Sequence, residues 1–167
     1  NPLTREDGIR NGGDQLFGWT GRGGGQNYGY FLSAGADRNI GTLPSNDFRR
    51  YSWRSNFNWI PNAKVTLEAG ISSIYSRAVL PDNDNNIYGY LGGALLGSPT
   101  TRRDDGVPSQ NGWFGFNRGV AAIAAIENQL ETRRNILNAS ATYLPTSWLK
   151  SRFTLGGDLL NDEGTRF

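Results

Sequence analysis

The sequence predicts an all-β chain, an antiparallel up-and-down meander of about six strands. It is expected to be part of a large transmembrane β-barrel, with one long loop carrying a short helix. Three observations predict this. From Tyr51 to Tyr75 the apolar series Tyr51, Trp53, Phe57, Trp59 and then Val65, Leu67, Ala69, Ile71 alternates with polar residues on both sides of a turn at 60–63, the period of two that marks a strand with two unlike faces. The same hairpin returns as Leu137, Ala139, Ala141, Tyr143 and, after Pro145-Thr146-Ser147, as Leu149, Ser151, Phe153, Leu155 and Leu159. Finally, the connections sort by length: 21–26, 60–63 and 145–147 fall at one end of a meander and are short, while 38–47 and 76–129 fall at the other and are long. That asymmetry belongs to outer-membrane barrels, whose turns are tight on one side and whose loops carry recognition on the other.

Each arm of the central hairpin has about 10 residues, the length a tilted strand needs to cross the hydrocarbon layer. Aromatic residues stand near the arm ends, where a membrane barrel places its interfacial girdles. The predicted strands are 14–20, 27–37, 48–60, 63–76, 131–144 and 148–160, in a single unit spanning 1–167. Residues 1–13 are polar and turn-rich and read as loop. The glycines of 21–26 suggest a phosphate-binding loop, but Gly21-x-Gly23-x-x-Gln26 lacks the third glycine and no Gly-Lys-Ser/Thr follows, so a hairpin turn is expected there. In the strand from Asn27, Tyr28, Tyr30, Leu32, Ala34 and Ala36 share one face, with Gly29, Phe31, Ser33, Gly35 and Asp37 on the other. Residues 77–130 make a long loop too extended for an ordinary connection, hence functional. Val120 to Ile126 has helical propensity, and a short helix is expected there.

Composition narrows the function. The 167 residues include 23 Gly and no Cys, His or Met, and 19% are charged. Without His and Cys the commonest bases, nucleophiles and zinc ligands are missing, so an enzyme is not expected. A net charge of +2 with scattered arginines argues against nucleic acid as a partner. No run of 18 apolar residues predicts a membrane helix, while strands with one polar face lower the mean hydropathy without excluding a barrel. Asn1 does not read as a natural start, and the chain is expected to be part of something longer.

Phe48-Arg49-Arg50-Tyr51-Ser52-Trp53-Arg54-Ser55-Asn56-Phe57-Asn58 resembles the "RYS-R-N-N" strand of the SusC/RagA-like TonB-dependent outer-membrane transporters. Tyr30-Phe31-Leu32-Ser33-Ala34-Gly35, Ser98-Pro99-Thr100, Ser147-Trp148-Leu149-Lys150 and Asn161-Asp162-Glu163 resemble the same family in the same order. The resemblance implies a segment of a plugged barrel of about 22 strands in the bacterial outer membrane. It further implies import of oligosaccharides or peptides, with a SusD-like surface lipoprotein and the TonB complex as partners. The chain carries no TonB box and no plug domain, so energy coupling comes from the resemblance alone.

Candidate substrate-loop residues are Asp82, Asn83, Tyr88, Tyr90, Trp113, Phe114 and Phe116, polar or aromatic groups suited to sugar rings or peptide side chains. Candidate lumen-facing residues are Arg54, Asn56, Glu68, Arg152 and Asp158, whose charges are expected to pair with one another or with a plug. No catalytic residue, cofactor or metal is expected. Asp82-x-Asp84-x-Asn86 opens like a calcium loop, but Ile87 stands where glycine is needed and Gly93 where the bidentate glutamate would be. That leaves a calcium ion at 82–86 as a minor reading beside a solvated acidic loop. The alternative function is a soluble or surface-attached β-rich module that binds glycan through the loop aromatics. It requires a second sheet packed over Trp53, Phe57, Leu67 and Ile71.

Overall fold

A computed structural model describes residues 9–82, 87–96 and 123–167. The chain forms one six-stranded antiparallel sheet in sequence order, from β1 (Gly13–Gly24), β2 (Tyr28–Ile40) and β3 (Asp47–Asn62) to β4 (Val65–Pro81), β5 (Glu127–Thr146) and β6 (Leu149–Arg166). The meander follows the sequence reading. The sheet is not closed: β1 and β6 are its two edges, and no barrel is formed by these strands alone.

Every strand is longer than its alternating apolar segment. β1 runs on through Gly21, Arg22 and Gly23, which pair with Leu32, Phe31 and Tyr30, so the expected glycine turn shrinks to residues 25–27. β6 continues through Asn161-Asp162-Glu163 to Arg166, held by the matching extension of β5 down to Asn128. Ladder hydrogen bonds act on backbone alone, so a polar stretch with a paired neighbour extends a strand that hydrophobicity would end. The turns at 63–64 and 147–148 hold two residues each, and a register shift lies just before each of them.

The ladders fix which residues share a row. Tyr30, Phe57, Ala69, Ala139 and Leu155 are successive cross-strand partners, as are Leu32, Ser55, Ile71, Leu137 and Gly157 one pair further up. These rows form an apolar face. At its lower end stand Tyr28 and Trp59, paired with each other, with Tyr143 beyond them. At its upper end the partners Phe17, Ala36, Tyr51 and Tyr75 make a second aromatic row, in which the Tyr51 and Tyr75 rings stack at 6.4 Å and the Arg133 guanidinium sits 5.7 Å from the Tyr75 ring centre. Eight residues separate Tyr51 from Trp59, about 26 Å along the strand at the usual rise and roughly 20 Å in height at a barrel's tilt. The other face is polar, carrying Asn56, Asn58, Glu68, Asn138, Ser140 and Arg152.

Among the described residues no second layer covers the apolar face: Trp53 is 45% exposed and Phe57 46%. Among the described residues the one enclosed cluster joins Tyr90 and Ile123, both fully buried, with Ala94 and Ala124 packed against them. It lies in the β4–β5 connection. Tyr90 opens a helix absent from the expectations, α1 (Tyr90–Leu95), whose first amide donates to the Asp82 carbonyl at 3.1 Å. The helix expected over 120–126 is described only in part, with residues 123–124 helical. Arg166 of β6 pairs with Asp82 at 3.2 Å, and the Ser45 hydroxyl donates to the Ala124 carbonyl at 3.0 Å, so the long-loop end of the sheet is tied together by side chains.

Candidate functional site

Alternation within strands and register between them bring the five lumen-facing candidates onto one face. Arg54 and Asp158 stand in one row, linked through Ser72 and Ile136. Asn56 stands in the next, linked through Gly70 and Asn138 to Gly156, and Glu68 in the one after, between Asn58 and Ser140. Arg152 pairs with Thr142 one step beyond.

The charges do meet one another. The Arg152 guanidinium donates to the Glu68 carboxylate at 3.0 Å, and the Ser140 hydroxyl donates to the same oxygen at 2.7 Å. Asp158 is held instead by Arg134, whose Nε donates to it at 3.0 Å. Arg50 of β3 pairs with Asp37 of β2 near the upper end of this face. Arg54 has no ion-pair partner among the described residues. These pairs are about half exposed, so water screens them and they serve to orient groups more than to stabilise the sheet.

The arrangement opens a concavity of about 480 Å³ lined by Phe31, Asn56, Asn58, Glu68, Asn138 and Arg152 among others. Between Asn56 and Asn138, in the same cross-strand row, stands Gly70, the one strand glycine that is buried. A Cβ there would come within 2.6 Å of the Asn138 amide oxygen and 2.9 Å of the Asn56 amide oxygen, so the two amides approach each other because position 70 has no side chain. The set offers amide donors and acceptors, one neutralised carboxylate–guanidinium pair and one aromatic ring. It suits a neutral ligand rich in hydroxyl or amide groups, and nothing in it activates a nucleophile. Gly70→Ala is expected to spread the two exposed amides, which are side-chain ends able to turn away, at a cost of about 0.5 kcal/mol or less. Gly156→Ala, in the same row, meets only the Leu137 carbonyl at 3.8 Å and should leave the urea midpoint where it is.

Phe31, Asn58, Asn138 and Ser140 were not among the sequence candidates. Their faces follow from the period of two, but Ser140 meets Glu68, and Asn138 comes to stand opposite Gly70, only through the β4–β5 register, which spans the long connection and leaves no signal in the sequence.

The loop candidates fare differently. Tyr88 is exposed at 45%, as a ligand-contacting ring must be. Tyr90 is fully enclosed beside Ile123, where its ring holds the loop together and no ligand reaches it in this arrangement. Asp82 is buried, and its carboxylate accepts from Arg166 at 3.2 Å. Asn83, Trp113, Phe114, Phe116 and most of the calcium candidate at 82–86 lie outside the described residues.

No family model matches the chain, and no curated protein matches it.

Proposed function

We propose that the chain is a section of the wall of a bacterial outer-membrane barrel of the SusC/RagA-like kind, acting in TonB-dependent import of large nutrients, oligosaccharides or peptides. One observation carries the reading. A single sheet keeps an apolar face bounded by two aromatic rows, with a polar, ion-paired face behind it, and no second layer covers the apolar side among the described residues. A soluble sandwich would bury Trp53 and Phe57 under a second sheet. A barrel wall turns them to lipid and the polar face to the lumen.

The edges of the sheet add support. Among the described residues no strand pairs with the outer edges of β1 and β6, a costly arrangement in hydrocarbon unless further strands continue the sheet on both sides. No helix among the described residues is long and apolar enough to cross a membrane, so the crossing elements in this reading are strands. In the same reading the long-loop end faces outward and meets a SusD-like lipoprotein and the substrate. The concavity around Asn56, Asn138 and Glu68 lines the route inward, and a plug coupled to TonB gates that route.

Paired cysteine substitutions in the protein that carries this chain, embedded in its membrane, test the faces. Phe57→Cys should resist a membrane-impermeant thiol reagent and Asn56→Cys should react once the lumen is open. Equal labelling of the two would falsify the lipid-facing assignment.

A further inference from the structure

We propose that Arg38, Arg49 and Arg77 form a docking site for the phosphate-bearing headgroup of an anionic lipid, at the upper rim of the apolar face. The inference rests on that face being turned to lipid.

The register makes the three arginines direct cross-strand neighbours, Arg38 on β2 opposite Arg49 on β3, and Arg49 opposite Arg77 on β4. Like charges set side by side on one face of a sheet oppose its formation. A soluble surface gains nothing from such a row, and the negative groups nearby neutralise it only in part. Asp47 is shared, one oxygen accepting from Arg49 at 2.8 Å and the other from Arg38 at 3.2 Å. Arg77 donates to the Gln129 amide oxygen at 2.7 Å and lies 3.9 Å from Glu131, which also serves Arg133. Four guanidinium groups thus stand against two carboxylates. Arg38, Arg49 and Arg77 keep close to half of their side-chain surface open, so donors remain for a further acceptor.

The three line a concavity of about 320 Å³ with Arg10, Ser45, Asp47 and Glu127, whose added carboxylate is matched in number by the Arg10 guanidinium, so the excess of positive charge stands. That volume admits a phosphate headgroup, and the planar guanidinium fork matches phosphate oxygens in pairs. Position selects the source. The arginines follow Tyr51 and Tyr75 by one residue pair on the same face, about 7 Å further along the strand, which is where headgroups begin above an aromatic row. The opposite rim, around Tyr28, Trp59 and Tyr143, has no such row among the described residues.

The test uses the whole protein that carries this chain, in phosphatidylcholine nanodiscs doped with phosphatidic acid, with retained phosphatidic acid counted by native mass spectrometry. Arg38→Gln, Arg49→Gln and Arg77→Gln are each expected to lower retention about fivefold, the weight of one basic residue near an anionic surface. Asp47→Asn should raise it, Arg49→Lys should keep part of it, and Arg54→Gln on the polar face should leave it unchanged. Retention unaffected by all three glutamine variants in protein that still enters nanodiscs overturns the site and leaves the membrane reading intact. Equal loss in Arg54→Gln overturns it as well, as does displacement of the lipid by inorganic phosphate, which would make the free anion the ligand. Protein that does not enter nanodiscs and labels equally at positions 56 and 57 overturns both.

Discussion

Ile71→Arg is expected to remove about 2–4 kcal/mol from the inserted, folded protein, while Ile136→Arg costs little. The two substitutions are the same in chemistry and sit on adjacent strands one residue pair apart. Ile71 belongs to the row Leu32, Ser55, Leu137, midway between the Tyr51 and Trp59 rows, so in the barrel-wall reading proposed above an arginine there would meet hydrocarbon at its deepest. Ile136 stands between Ser72 and Asp158 on the polar face, where a guanidinium finds water and a carboxylate. Urea titration of the protein in lipid vesicles reads the difference, and 2.8 kcal/mol is about a hundredfold in the folded-to-unfolded ratio. Equal costs for the two would remove the distinction between the faces on which the transport reading depends.

Tyr90→Ala is expected to cost about 3–5 kcal/mol, spent locally in the β4–β5 connection. The ring is fully buried against Ile123, with Ala94 and Ala124 packed beside them among the described residues, so its removal leaves a large apolar cavity. The sheet is held by its own ladders and should persist. Protease cleavage near α1 should therefore rise sharply while the strand signal in circular dichroism stays constant. Burial pushes the Tyr90 hydroxyl above the usual tyrosine value, against the opposite pull of the Arg10 charge. A raised folded pKa contributes stability that is complete below about pH 10 and is lost as the pH climbs through the folded value. Ultraviolet titration should show one tyrosine ionising after the others, and loss of that lag in Tyr90→Phe assigns it.

The faces of the strands were legible in the sequence because alternation is local: Tyr51 to Trp59 names its own partition. The placement of Arg54, Asn56, Glu68, Arg152 and Asp158 on one face followed from the same rule. Strand ends were less legible, since Gly21 to Gly24 and Asn161 to Arg166 extend their strands through backbone pairing that side-chain chemistry does not announce. α1 was hidden for a related reason. Gly92 and Gly93 are poor helix formers, and burial of Tyr90 and Gly93 outweighs their propensity. From sequence alone Tyr90 reads as a ligand contact, because an aromatic residue in a polar loop looks exposed until its partner is known, and Ile123 lies far along the chain. The row of arginines was invisible for want of the β2–β3–β4 register, which turns three scattered residues into neighbours.

The uneven connections also bear on how the chain assembles. β3–β4 and β5–β6 are closed by two-residue turns, so those hairpins can zip within microseconds. Joining β4 to β5 is a different event, because the span from 82 to 126 must first bring its ends together. Between a two-residue turn and a span that long lie four to five doublings of length, roughly 3 kcal/mol of added closure entropy. In the folded chain the packing of Tyr90 on Ile123 draws together two points near the opposite ends of that span and offsets part of this cost. A small knot of side chains outside the sheet thereby helps to hold a four-stranded part and a two-stranded part together as one.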